Sequence, residues 1–244
     1  MRLLLSVLII GLILSCQEKK SSDEKDQSEE KTVQKSSIQR VIEDTYNFKA
    51  YQKKKNVALN LLLINEDSVD LQIYLQPKND LQIVQKDENF LYLTDNQTYE
   101  MPVGSFEKQE INRYKHLALA YQIPYQLSDY QIEKTSDSLQ IDDKTSLKRS
   151  FQLTGNNNIR LFLSAKTDLI KSIEFSGLSE STYLVYDKYI TVQQIPISMR
   201  RSIYQRDVLD QKAKSKVKVQ KINYPDELPF DFKLPEQAKP IQNK

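Results

Sequence analysis

The sequence predicts a mainly β domain, an antiparallel sheet with too many strands to stay flat, accompanied by two helices. Three observations predict it. After residue 57 apolar and polar side chains alternate over most of the chain, most plainly where Val69, Leu71, Ile73 and Leu75 are interleaved with Asp70, Gln72, Tyr74 and Gln76; period two marks a strand with one buried face. Polar turn signals separate these runs at short intervals, so successive strands return on one another. The composition, 14 Tyr and 8 Phe with no Trp and only 4 Gly, suits aromatic cross-strand pairs better than Gly-rich phosphate loops.

The chain is expected to open on an export signal. Arg2 supplies a positive charge and residues 3–14 an apolar run of roughly 12 residues, the length of a secretory core and too short to span a bilayer. Residues 1–15 are expected to be a signal peptide. Ile13, Leu14, Ser15 and Cys16 resemble the bacterial lipobox, whose cysteine sulfur takes a diacylglyceryl group and becomes the new N-terminus. Cys16 is the only cysteine, so it is the expected lipidation site, and no disulfide forms. Two or more chains, such as palmitate, hold a protein stably at about 0.8 kcal/mol per buried methylene. Residues 16–35, rich in Lys, Glu, Ser and Asp, cannot bury enough surface to offset their ordering entropy and are expected to be a disordered tether.

Residues 36–244 are expected to be one folded domain, roughly 200 residues being enough for a substantial core. Ile38, Val41, Ile42 and Tyr46 recur at helical spacing, and Ser36 with Gln39 has the form of a capping box, which predicts a first helix over 36–46. Residues 57–64 and 69–75 flank a polar turn and predict a hairpin. Further strands are expected at 81–84 and 90–93. Phe106, Ile111, Tyr114, Leu117, Ala118 and Tyr121 then share one helical face, and Pro124 ends the run, predicting a second helix over 105–122. Strands return at 130–132, 139–141 and 147–153. Gly155, Asn156, Asn157 and Asn158 tolerate positive φ and join 147–153 to 159–163 as a second hairpin. Strands at 170–175, 182–186, 190–192, 197–204 and 216–222 bring the expected total to about ten, a number at which a sheet curls or closes.

Composition and motifs exclude most chemistry. With 35 Lys and Arg against 33 Asp and Glu the net charge is +2, no basis for a nucleic-acid partner. Gly177, Leu178, Ser179, Glu180 and Ser181 approach a nucleophile elbow but lack its last glycine and join two strands rather than a strand and a helix. Glu107 with Glu110, and Asp142 with Asp143, are spaced as solvated carboxylates. His116, the only histidine, has no cysteine near it, and no metal or cofactor is expected. The protein is therefore expected not to be an enzyme. Lys212, Lys214, Lys216 and Lys218 alternate with Ala213, Ser215, Val217 and Val219, placing the lysines on one wet strand face; an alternative reading joins Arg200, Arg201 and Arg206 to them as a patch for anionic headgroups.

The C-terminal third carries a family likeness. A tyrosine-rich strand at 183–192 (YLVYDKYITV), the step Ile195, Pro196, Ile197, a lysine-rich strand at 217–223 and the run Pro229, Phe230, Asp231, Phe232 ending near Ile241 resemble the LolB-like lipoproteins of Bacteroidetes. The resemblance implies the LolA/LolB-like fold, a curved antiparallel sheet forming an incomplete half-barrel closed by two or so helices around an apolar cavity for acyl chains. It also implies an outer-membrane lipoprotein, on the periplasmic or the cell-surface side. Side chains of one strand parity share a face, so the candidates to line such a cavity are Leu71, Ile73 and Leu75, Leu161 and Leu163, Ile173 and Phe175, and Val217 and Val219. Two readings follow. In the first the half-barrel binds acyl chains or another apolar ligand; in the alternative the core is filled and the domain is an accessory to an envelope protein complex.

Overall fold

The computed structural model describes residues 37–65, 67–94, 97–127, 130–135, 140, 141, 144, 145, 148–154, 159–176, 181–205 and 213–241. The expected signal peptide, Cys16 and the tether lie outside them. So do the turn at 155–158, residues 177–180, 142, 143, Arg206 and Lys212.

The alternation at the start of the domain does build a hairpin. β1 (Val57–Ile64) and β2 (Ser68–Leu75) pair antiparallel, with Leu61 opposite Leu71, Leu59 opposite Ile73 and Val57 opposite Leu75. Each of these pairs sits on the same face of the sheet, and all six residues are buried. The meander continues through β3 (Gln82–Lys86), β4 (Asn89–Leu93) and β5 (Thr98–Met101). Beyond the helical insertion it resumes with β6 (Gln131–Thr135), a small ladder of β7 (Gln140–Ile141) and β8 (Lys144–Thr145), then β9 (Lys148–Thr154), β10 (Ile159–Ser164), β11 (Ile170–Ser176) and β12 (Ser181–Tyr186). A hairpin of β13 (Tyr189–Val192) and β14 (Ile195–Ser198) leaves the sheet, which returns as β15 (Arg200–Gln205), β16 (Ser215–Asn223) and β17 (Lys239–Pro240).

Among the described residues the main sheet has thirteen antiparallel strands in the order β17-β5-β4-β3-β2-β1-β16-β15-β12-β11-β10-β9-β6. Because β16 pairs with β1, the late strands join the early ones, and β17 and β6 stay at the two edges, so the barrel is open. This is the mainly β sheet that the alternation predicts, in the curved and incomplete barrel that the family resemblance implies.

The concave face is continuous across the strands. Leu161 lies opposite Ile173 on one side and Phe151 on the other, Ile159 opposite Phe175, and Leu61 and Leu63 opposite Val219 and Val217. All belong to one large core. Three helices cover it: α1 (Ser37–Thr45), α2 (Phe48–Gln52) and α3 (Lys108–Gln122), the last running on into a 3-10 turn at Ile123–Tyr125 that contains Pro124. On α1 the buried residues are Gln39, Ile42 and Glu43, while Val41, expected on the apolar face, is 36% exposed. The contact stripe is thus centred on Ile42 and passes one side of Val41. Asn47, at φ 50°, breaks the helix and its side chain accepts a hydrogen bond from Ala50 N to start α2, an element too short to leave a periodic signal.

α3 braces the two halves of the sheet. Glu110 accepts from the backbone N–H of Glu107 at 3.0 Å to cap the helix, and its other oxygen pairs with Lys86 of β3 at 2.6 Å. Gln82 of β3 donates to Gln122 at the helix end. On the opposite side His116 stacks on Phe175 of β11, centroids 4.3 Å apart, and the Tyr186 hydroxyl of β12 donates to Ala120 O at 3.1 Å.

The convex face carries its own apolar cover. Tyr74, Ile83 and Tyr92 point outward and are covered by the C-terminal segment, with Phe230 edge-on to Tyr74 at 4.8 Å and to Phe90 at 6.0 Å. The lysine strand is as expected: Lys214, Lys216 and Lys218 are exposed, and Ser215, Val217 and Val219 are buried between them.

Candidate functional site

The nine residues expected to line a cavity all face the concave core. Leu71, Ile73, Leu75, Leu161, Leu163, Ile173, Phe175, Val217 and Val219 belong to the same cluster, and Phe175, the most accessible, is 5% exposed. Two open grooves, of about 500 Å³ and 430 Å³, lie elsewhere on the surface. One runs beside Asn56, Gln76 and the segment 226–232; the other is bordered by Asn65, Val69, Arg113 and Lys214. None of the nine lines either groove.

At one end of the concave face the apolar pattern is broken by a charge. Arg201 of β15 lies opposite Val217 of β16 and Tyr186 of β12 in the ladders, so it shares the inward face with them. It is 4% exposed. Arg201 therefore does not join Arg200 and the lysines in a surface patch. A strand turns consecutive side chains to opposite faces, so Arg200 goes outward to pair with Asp187 at 2.9 Å while Arg201 goes inward.

What surrounds the guanidinium is a cage of tyrosines brought from four separate parts of the chain. Its Cζ lies 3.4 Å from the ring centroid of Tyr121, on α3, and 4.2 Å from that of Tyr186, both cation–π contacts. Tyr46 follows α1, Tyr125 ends the 3-10 turn, and Tyr189 opens the β13–β14 hairpin. Tyr125 stacks on Tyr51 of α2 at 3.8 Å and meets Tyr46 edge-on at 5.8 Å. A cavity of about 10 Å³ remains among Tyr121, Tyr186, Tyr189 and Arg201.

Hydroxyl hydrogen bonds close the cage. Ile170 N donates to the Tyr46 hydroxyl at 2.9 Å, and the Tyr189 hydroxyl donates to Ile170 O at 2.6 Å. The Tyr189 proton being committed, the 2.8 Å contact between the two hydroxyls has Tyr46 as donor. Tyr125 donates to Pro196 O of β14 at 3.1 Å, and Asn47 Nδ2 to Gln194 O at the hairpin tip. Lys54 donates to the side chain of Gln193 there. Both tip residues have positive φ, 47° at Gln193 and 69° at Gln194, the geometry of a tight hairpin turn. The strand expected as one run over 197–204 is broken at Met199. There the chain leaves the sheet, tied by Met199 N to Lys188 O and Asp187 N to Arg200 O, and leans the hairpin over Arg201.

The tyrosines stay neutral in this setting. Burial pushes the Tyr46 hydroxyl up to about 12, its hydrogen bonds with Tyr189 and Ile170 pulling the other way, and raises Tyr121, Tyr125, Tyr186 and Tyr189 as well. None serves as a counter-ion for Arg201. Among the described residues no carboxylate forms an ion pair with it, and its Nε and Nη1 have no hydrogen-bond partner. The Tyr121 hydroxyl is also buried without a partner.

His116 is half-buried against Phe175, and among the described residues no group of three or more His, Cys, Asp or Glu gathers as metal ligands would. Nor is any described helix long and apolar enough to cross a membrane.

No protein-family model and no curated protein matches the sequence. Solved structures do. A LolA-superfamily protein of Nitrosomonas europaea is similar at 14% identity and a TM-score of 0.53, over 80% of this chain and 96% of that one. A DUF1329 family protein of Desulfovibrio piger is similar at 6% identity and a TM-score of 0.51, over 78% of this chain and 94% of that one. At these identities the likeness is one of fold: the chain has a LolA-like half-barrel.

Proposed function

We propose that this domain is a non-catalytic binder of acyl chains in the bacterial envelope, carried on an exported protein anchored to the outer membrane through Cys16. The observation that carries the reading is the contrast between the concave face and its cover. The face is apolar from β2 across to β11, whereas the hairpin over its Arg201 end adds to the burial of Ile195 and Ile197 the side-chain hydrogen bonds and aromatic contacts described above. No ladder of the main sheet includes β13 or β14. Hydrogen bonds of this kind contribute about 0.5–1.5 kcal/mol each, so once Ile195 and Ile197 leave the core the hairpin has no ladder of the main sheet to break. A LolA-like fold that parts here offers an acyl chain a ready-made apolar bed. The nearly complete burial of Leu161 and Ile173 favours the second reading, a filled core in an accessory envelope protein.

Titration of a fluorescent fatty acid into the unlipidated Cys16→Ser chain separates them. The acyl reading expects saturable one-to-one binding, weakened by Leu161→Phe or Ile173→Phe at a site the chain must share. A folded protein that binds no apolar probe would leave the accessory reading in its place, with the same substitutions costing about 1–3 kcal/mol from overpacking alone. The anchor is tested in the native host. Cys16→Ser is expected to abolish incorporation of radiolabelled palmitate, and labelling at the wild-type level would overturn the lipidation site.

A further inference from the structure

We infer that Arg201 is the headgroup subsite of this domain, taking with the Tyr121 hydroxyl the carboxylate or phosphate oxygens of an anionic, single-chain lipid whose acyl chain lies along the concave face. The inference rests on the acyl-binding reading above and adds to it the charge and orientation of the ligand.

The argument starts from cost. A guanidinium is charged at every pH a protein meets and carries five N–H donors. Taken out of water with no carboxylate opposite, it forfeits much of its solvation, and two tyrosine faces return only part of it. Arg201 is in that position: 4% exposed, without an ion pair among the described residues, and with Nε and Nη1 unbonded. Nothing structural requires an arginine there. Its inward neighbours in the ladders, Val217 and Tyr186, and Ile203 on its own strand belong to the apolar core, which a leucine or methionine at 201 would extend. A third orphan donor, the Tyr121 hydroxyl, belongs to the ring lying against the guanidinium. Three buried donors and no acceptor make a site for oxyanions.

Position supplies the rest. The cage stands at the end of the apolar face and under the part of the cover that strand pairing does not hold, so a chain lying on that face brings its polar end to Arg201. The 10 Å³ cavity has no room for a headgroup. Binding therefore displaces the β13–β14 hairpin, breaking the Tyr46, Tyr189 and Tyr125 hydrogen bonds and replacing them with bonds from Arg201 and Tyr121 to the anion.

The test compares four probes on the unlipidated Cys16→Ser chain: oleate, oleyl alcohol, oleoyl lysophosphatidate and inorganic phosphate. At least one anionic lipid is expected to bind about tenfold or more tighter than the alcohol, the effect of one charge-assisted contact. Arg201→Met is expected to reduce the anionic lipids to the affinity of the alcohol and leave the alcohol unchanged, while Arg201→Lys keeps part of the preference. Tyr121→Phe, which removes only the hydroxyl, keeps the question open to measurement should Arg201→Met fail to fold; it too is expected to weaken the anionic lipids and spare the alcohol. Equal wild-type affinity for the alcohol and both anionic lipids would overturn the subsite and leave acyl binding intact. Phosphate binding as tight as lysophosphatidate would overturn the headgroup assignment in favour of a free-anion site. A folded protein that binds none of the four would remove acyl binding and the subsite together.

Discussion

Replacing Arg160 by Met is expected to destabilise the domain by about 3 kcal/mol, as the loss of one partner of a buried ion pair does. Arg160 of β10 lies directly opposite Glu174 of β11, with Nη1 3.2 Å from Oε2. Both point away from the concave core, yet the Glu174 side chain is only 2% exposed while that of Arg160 is 28% exposed. Ser176 Oγ, at 3.5 Å from Oε1, is a weak second partner for the carboxylate. Methionine keeps the unbranched stem of arginine and its packing, and it removes the charge opposite Glu174. In Arg160→Met the carboxylate is left buried and unpaired; adding Glu174→Gln removes the orphaned charge and is expected to recover most of the loss. Urea denaturation of the two single variants and the double variant measures the coupling. Costs that simply add would show that the pair contributes packing and no charge interaction.

The concave face was legible because strand parity is a strong constraint. A slip of one residue would turn a whole apolar set to the solvent, and so Leu71, Ile73 and Leu75, though remote in sequence from Leu161 and Ile173, end on the same face of the same sheet. The same rule was available for Arg201. Ile197, Met199, Arg201 and Ile203 share one parity, and grouping Arg201 with its neighbour Arg200 as a surface patch ignored it. The remainder of the cage had no such signal. Tyr46 and Tyr189 meet across 143 positions of sequence, and tyrosines at 46, 121, 125, 186 and 189 have no common period. They converge only because α1, α3, β12 and the hairpin all pack on one end of the half-barrel. α2 and the break at Met199 went unread for a local reason: a helix of five residues shows no periodicity, and a strand that bends out of its sheet keeps its alternation.

Lowering the pH from 6.5 to 4 is expected to remove up to about 3 kcal/mol of stability through His116 alone. The imidazole lies flat on Phe175, interplanar angle 8°, where loss of solvation disfavours its charged form and the neighbouring Lys115 adds to the effect, bringing it down to about 4 from its ordinary 6.5. A depressed folded-state value means that the unfolded chain takes up the proton first. Stability is therefore complete above pH 6.5, falls as protonation favours the unfolded state, and levels off below about 4. Carboxylates titrate in the lower part of the same window, so the wild-type curve alone does not isolate the imidazole. His116→Phe does: it keeps an aromatic ring for the stack on Phe175 and has nothing to protonate, and the difference between the two melting curves across pH 4–6.5 is the histidine contribution. With a single histidine in the chain, one C2–H resonance also reports the titration directly. A midpoint near 6.5 in the folded protein, together with parallel melting curves for the two proteins, would show that the imidazole is solvated and that its stack on β11 does not hold in solution.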